Sequence, residues 1–291
     1  MSGRDLLDLL ARVARRHRPP PPPAAPSRLA RPSAARFADA RRAALPVLLD
    51  GVIDEWPGRA NLSLQRLRER FGDRVVSGSP TRAGRLQCDA RTGLAFAAVR
   101  LGEYIDRLER HEWPDAYVHG PGDRWLPELK EDVRPPHYCR NASWQTWRFW
   151  LSAPEMSSPL HRHGVENIFC QFLGRKRFFL YPPAATPWLS SNAMRSALPN
   201  YSRFEPETPT DARFPLGRAV QPLELILEPG EAIYLPSGWW HQVRSLDVSL
   251  SFNFFFADGL LAVVQRAVEL AKRMRGLEIY GLEQRLRAGE G

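Results

Sequence analysis

Three histidines in this chain have the type and spacing for metal chemistry. His161 and His163 lie two residues apart in S-P-L-H-R-H-G-V-E-N, so on a β-strand both imidazoles point to one face. His241 closes G-E-A-I-Y-L-P-S-G-W-W-H, where a Gly-Glu turn feeds a short apolar strand and a Pro-Ser-Gly turn. If the two segments are neighbouring strands of one barrel, three neutral imidazoles converge on one divalent ion and leave coordination positions open. Open positions are what separate a catalytic metal site from a structural one. Fe(II) suits such a nitrogen-rich facial set, and the donors also admit Zn, Ni, Mn or Cu. A lone histidine is more often a hydrogen-bonded core residue. The G-x5-P-x-G-x2-H context, which supplies a third ligand, turns the reading toward a metal.

The elements that must position these rings are mostly strands. Residues 147–151, 167–172, 177–181, 223–227, 232–235 and 249–256 are β-prone and punctuated by Gly and Pro. S-L-S-F-N-F-F-F alternates small or polar with aromatic residues, as a barrel wall does. Ahead of them, Val47 to Ile53 is an apolar β-rich run, and Ser63 caps a helix reaching Phe71. A strand returns at residues 73–76, a helix spans 101–108, and Ala116 to His119 is strand-like. Residues 184–222 form a long insertion of little periodicity, a place for selectivity rather than mere connection. Leu260 to Arg275 is a helix with Leu260, Val263, Val264, Ala267, Leu270, Ala271 and Met274 on one side. That face is expected either to pack on the barrel or to make a homodimer contact. The chain thus divides into a basic, Pro-rich tail and linker (1–36), a β-barrel domain (37–256) and a C-terminal helical segment (257–291).

Charge confines the possible partners. The net charge is +9, yet residues 1–43 hold ten arginines and three aspartates, so the remainder carries only +2. A nearly neutral body argues against nucleic acid as the barrel's partner and leaves RNA or an acidic protein to the tail, whose residues 4–18 read as a short amphipathic helix. Arginines outnumber lysines 38 to 3, a bias of usage rather than recognition. No apolar run approaches the roughly 18 residues needed to span a bilayer, and three irregularly spaced cysteines fit no disulfide framework. The expectation is a cytoplasmic protein.

With these motifs in place, the sequence resembles the JmjC-type, cupin-like 2-oxoglutarate oxygenases, notably their small asparaginyl-hydroxylase-like branch, from about Pro46 to Phe256. The motifs are L-P-V-L-L-D-G-V-I-D-E-W-P, S-P-L-H-R-H-x3-N-x8-K-R-F-F-L-Y-P-P, G-E-A-I-Y-L-P-S-G-W-W-H and S-F-N-F. The resemblance implies a mainly β fold, a double-stranded β-helix with a helical lead-in and C-terminal helices. It implies Fe(II) at His161 and His241, and 2-oxoglutarate as cosubstrate. Lys176 matches the lysine that pairs with the distal carboxylate, Ser158 and Tyr117 match hydroxyls on the same carboxylate, and Asn167 and Asn253 match residues lining the pocket. On residue type alone, the asparagines could instead satisfy barrel backbone and Ser158 could end a strand.

The departure is His163, where the family usually carries Asp or Glu. A neutral nitrogen replaces a carboxylate, so iron plus the 2-oxoglutarate dianion sums to zero instead of −1, with consequences for oxygen activation. Glu166 would serve as a substitute ligand only if the chain turned at Gly164. Three readings follow: an oxygenase that hydroxylates a C–H bond of a protein side chain or small molecule; a catalytically impaired barrel that binds a metal, a small acid or a protein; and a three-histidine dioxygenase needing no 2-oxoglutarate. Trp239-Trp240 is a candidate substrate contact, though packing is the commoner use of such a pair.

Overall fold

The computed structural model describes residues 18–209 and 212–274. The amphipathic helix expected at the N-terminus and the segment after Met274 lie outside the described residues. Strands β1 (Ser27–Ala30), β2 (Val47–Asp50), β3 (Val75–Arg82), β4 (Arg85–Leu86), β5 (Cys88–Asp89), β6 (Gly93–Leu94) and β7 (Ala97–Arg100) precede β8 (Ala116–Pro121) and β9 (Trp144–Ser152). Then follow β10 (His161–Arg162), β11 (Glu166–Leu173), β12 (Lys176–Tyr181), β13 (Leu223–Leu227), β14 (Ala232–Leu235), β15 (Trp240–Ser245) and β16 (Ser249–Ala257). The helices are α1 (Ala34–Ala43), α2 (Leu64–Phe71), α3 (Leu101–Glu109), the single turn α4 (Gly122–Trp125) and α5 (Gly259–Met274).

The major sheet runs β1-β2-β14-β11-β16-β9-β8-β3-β4, with β7 also on β3, and the minor sheet runs β10-β15-β12-β13. The mainly β, jelly-roll architecture expected from the sequence is present. Strand β16, wholly buried, shows how the alternation is used. Leu250, Phe252, Phe254 and Phe256 point outward into the core under the helices, among Trp56, Phe71, Leu101 and Ile105. The other face carries Ser249, Ser251, Asn253 and Phe255 into the space between the sheets. Two helices of that outer layer meet at a glycine pair: the Gly102 N–H donates to the Gly72 carbonyl at 2.9 Å. A Cβ at Gly102 would stand 2.9 Å from that same oxygen, so only glycine allows the approach.

Local signals behave as read. The Ser63 hydroxyl accepts from the Arg66 N–H at 3.1 Å and starts α2, whose Leu67 and Phe71 are buried. One expectation needs correction, and one of two alternatives drops out. The Pro-rich stretch taken as linker pairs through β1, parallel to β2, from Ser27↔Val47 to Ala30↔Asp50. Its proline-free end keeps the N–H groups an edge strand needs. The apolar side of α5 does not pack on the barrel: Leu260 is 79% exposed, and Val263, Val264 and Leu270 are exposed too. Among the described residues of that helix, Ala262 alone is fully buried, with Leu261 partly covered, because α5 touches the body along its opposite edge. Among the described residues no helix is long and apolar enough to cross a membrane.

The insertion at 184–222 covers the outer face of the minor sheet. Trp188, Leu189, Phe204 and Val220 pack with Leu160, Phe179, Tyr181 and Trp240. Trp240 is fully buried and donates its indole N–H to Thr186 Oγ1 at 2.9 Å; Trp239 donates to the Ala44 carbonyl at 3.0 Å. Both tryptophans are packing residues.

Candidate metal centre

His161 and His241 face each other directly across the β10–β15 pair. Gly238, at φ +83°, makes the left-handed turn that brings β15 into this register, and its N–H donates to the His163 carbonyl at 2.8 Å. One ligand-capable atom from each of His161, His163 and His241 lies within 4.8 Å of the other two. The ring centroids stand 4.3 Å apart for 161 and 241, 4.9 Å for 161 and 163, and 5.1 Å for 163 and 241. Metal–nitrogen bonds of about 2.0–2.1 Å would draw the rings in further by side-chain rotation.

Two of the imidazoles are already oriented. His161 Nδ1 lies 2.9 Å from the Pro159 carbonyl and His241 Nδ1 3.1 Å from the Trp239 carbonyl. A backbone carbonyl can only accept, so Nδ1 carries the proton and Nε2 is left with its lone pair for an ion. Burial lowers the pKa of His161 to about 4, and burial followed by the neighbouring His161 holds His241 well below its ordinary value. Both rings are therefore neutral, the form that ligates. The Tyr201 ring stacks on His161 at 5.1 Å, and Phe255 meets His163 edge-on at 4.8 Å.

Glu166 is not a substitute carboxylate. It points to the opposite side of β11, where it accepts from Arg41 Nε at 2.9 Å and from the Tyr234 hydroxyl at 2.5 Å. Regular β alternation past Gly164 puts it there, and its charge fastens α1 to the barrel.

Behind the histidines lies a small pocket lined by Tyr117, Trp150, Ser158, Phe169, Val243 and Asn253. Lys176 is wholly buried next to it and donates from Nζ to the Tyr117 hydroxyl at 2.6 Å. Its ammonium also lies 5.2 Å from the Tyr117 ring centre and 5.5 Å from that of Phe169. Among the described residues it has no carboxylate partner, and desolvation lowers its pKa to about 7. The Tyr117 hydroxyl also meets those of Ser152 and Ser245, which lie 2.7 Å from one another, and burial pushes the phenol up to about 12. Ser158 accepts from the Val243 N–H at 3.2 Å and keeps its own proton to donate.

The two asparagines do not serve the barrel backbone. Asn167 is 1% exposed, and among the described residues neither its amide nitrogen nor its oxygen has a partner; the Asn253 oxygen has none there either. Pairing of Phe169 with Asn253 and of Asn167 with Phe255 puts all four on the inner face of the major sheet. Buried amides without partners are costly, about 1–3 kcal/mol each, unless a ligand satisfies them. An unpaired buried ammonium, hydroxyls with protons to give and vacant amides fit a small dicarboxylate such as 2-oxoglutarate. The three neutral imidazoles fit Fe(II) or a similar ion.

The wider mouth holds residues the motifs did not single out. His119, Arg148 and Trp150 line an open cleft leading to His161 and His163. Leu198, Asn200 and Tyr201 of the insertion form part of its rim. The only signal was alternation itself: His119 lies two residues beyond Tyr117, and Arg148 and Trp150 share the phase of Ser152.

Comparison with known proteins places the chain. The cupin-like domain model matches residues 33–259. Lysine-specific demethylase 8 of Xenopus tropicalis is 31% identical over 218 residues, 73% of this chain and 48% of that protein. The protein of the same name from Danio rerio is 31% identical over 220 residues, again 73% of this chain and 53% of that one. JmjC domain-containing protein 8 of Rattus norvegicus is 31% identical over 221 residues, 72% of this chain and 74% of that one. The chain spans about half the length of these two demethylases.

Proposed function

The chain belongs to the cupin-like domain family, with JmjC proteins among its relatives, and we propose that it is an Fe(II)- and 2-oxoglutarate-dependent oxygenase built on three histidines. The observation that carries this reading is Lys176, an ammonium sealed in the core behind the histidines without a carboxylate. A group so expensive to bury is explained by an anion that comes and goes.

His161, His163 and His241 would hold the ion, which when bound activates oxygen for hydroxylation while 2-oxoglutarate is converted to succinate and CO2. Lys176 holds the far carboxylate as a compact point charge, and Tyr117 and Ser158 donate to the same oxygens. Asn167 and Asn253 offer amide groups to the near end. Phe169, Phe255 and Val243 keep water from the rest of the chamber. The substrate class we assign is a protein side chain or small molecule, hydroxylated in the manner of the asparaginyl-hydroxylase-like branch. That placing rests on the two histidine motifs.

His163 favours a second reading, a barrel that binds metal and a small acid with little turnover. One experiment separates them: succinate release from 2-oxoglutarate with Fe(II), alongside calorimetric binding of 2-oxoglutarate, for the wild type and His163→Asp. Turnover by the wild type supports the oxygenase. Binding without turnover, with activity only in His163→Asp, supports the binding module. If neither protein binds 2-oxoglutarate, the cosubstrate assignment fails.

A further inference from the structure

The inner wall of the major sheet continues past the cosubstrate groups into the open cleft, and what it presents there is a set of donors. Arg148 lies opposite Asn253 on β16 and opposite Pro121 on β8; Trp150 lies opposite Ser251 and His119. Directly opposed residues share a face, so Arg148, Trp150 and His119 all look inward, as their place in the cleft lining confirms.

Each of the three is a donor without an acceptor. Among the described residues Arg148 has no carboxylate within ion-pairing distance, whereas the partly buried Arg41, Arg70 and Arg244 each have one. The Trp150 indole N–H is buried and has no partner. His119 is 1% exposed, stacks on Trp150 at 4.5 Å and 12°, and sets Nε2 2.8 Å from Ser79 Oγ. With the buried Ser79 hydroxyl donating to Nε2, the ring proton resides on Nδ1, which has no partner among the described residues. Burial, then the charges of Arg148 and Lys176, lowers the His119 pKa to about 3, so the ring stays neutral. Two acids, Asp123 and Glu269, share the cleft lining, and each has a partner of its own, Glu269 accepting from Gln265 at 3.2 Å.

We propose that Arg148, with the Trp150 and His119 ring N–H groups, forms an anion-binding subsite in front of the histidine cluster, so that the substrate carries a carboxylate or phosphate. The inference names the substrate class of the oxygenase proposed above and rests on that reading. A guanidinium offers paired N–H groups matched to either oxyanion, and a cationic side chain placed against Arg148 would meet like charge.

The test titrates the full chain, loaded with Zn(II) to prevent turnover and saturated with 2-oxoglutarate, and reads calorimetry and tryptophan fluorescence. Four probes are used: the N-acetyl, N-methylamide forms of glutamate, phosphoserine, glutamine and trimethyl-lysine. At least one anionic probe should bind roughly ten- to a hundred-fold more tightly than the glutamine probe, and the trimethyl-lysine probe should bind most weakly. Comparing glutamate with phosphoserine identifies the oxyanion. Arg148→Gln should bring the anionic and neutral probes to near equality while leaving 2-oxoglutarate affinity and the melting temperature unchanged, and Arg148→Lys should restore part of the preference. Equal or undetectable binding of the anionic and neutral probes to the wild type overturns the proposal. So does a preference that survives Arg148→Gln, or loss of 2-oxoglutarate binding in that variant, which would assign the guanidinium to the cosubstrate. Failure of the wild type to bind 2-oxoglutarate would be recorded separately and would count against the oxygenase reading; the probe titration is then read on the Zn(II) form alone.

Discussion

The two walls of the chamber are built on different terms. The minor sheet contributes two imidazoles from directly paired strands, and Lys176 from the strand beside them. The major sheet contributes vacant amides, hydroxyls and the cleft's donors on its inner face, and the principal core on its outer one. On the minor sheet function sits where strand pairing already brings side chains together. On the major sheet one strand serves stability and binding at once, by alternation. The difference teaches that the outer face can be damaged at the expense of folding alone, whereas the inner face is a place where stability is given up for a ligand.

Substitutions should separate these roles. The largest effect belongs to the ligands: His241→Ala should cost more in metal affinity than the roughly 10–100-fold typical of losing an outer-shell partner, read by competition with a chromogenic chelator. Next comes the outer face. Phe252→Ala, at a fully buried site, should destabilise by about 3–5 kcal/mol in urea unfolding, while the folded fraction keeps its metal affinity.

Lys176 should show itself through pH. Its pKa is near 7 in the fold and 10.5 as the ordinary value, so across that window the unfolded chain binds more protons. Stability must therefore rise with pH from about 7 toward 10 and be lowest below 7, where a charged ammonium is buried. Lys176→Met should abolish that rise in urea midpoints taken at several pH values, and should weaken 2-oxoglutarate binding. Smaller again is Asn167→Leu, which removes two unsatisfied atoms. The ligand-free chain should gain about 1 kcal/mol while 2-oxoglutarate affinity falls, measured by melting with and without the acid. The smallest is at the exposed side of α5, which we propose as a homodimer contact. Aspartate at both Leu260 and Val263 should lower the apparent mass in size-exclusion chromatography with little change in melting temperature.

Much of this was legible along the chain, because the informative groups follow short-range rules. The H-x-H pair, the Gly-to-His turn, the Ser63 cap and the alternation of β16 each depend on neighbours a few residues away. Glu166 is a similar case: its distance of three residues from His163 already set it on the opposite face. The anion subsite was not legible, since Arg148, Trp150 and His119 are joined by pairing of β8 with β9, and no local pattern distinguishes Arg148 from the other arginines. For Trp239 and Trp240 the sequence favours packing but leaves substrate contact open; the structure shows Ala44 and Thr186 accepting from their indoles.

By itself, then, the sequence determined where the barrel strands lie, the ligand types and the replacement of an acid by His163, because alternation and turn chemistry are encoded residue by residue. Only the tertiary structure decided which polar groups would be left unsatisfied: Lys176 without a carboxylate, and Asn167, Asn253 and the donors of the cleft without a full set of partners among the described residues. Whether a group is satisfied depends on what distant strands bring against it, and that is a property of packing rather than of spacing.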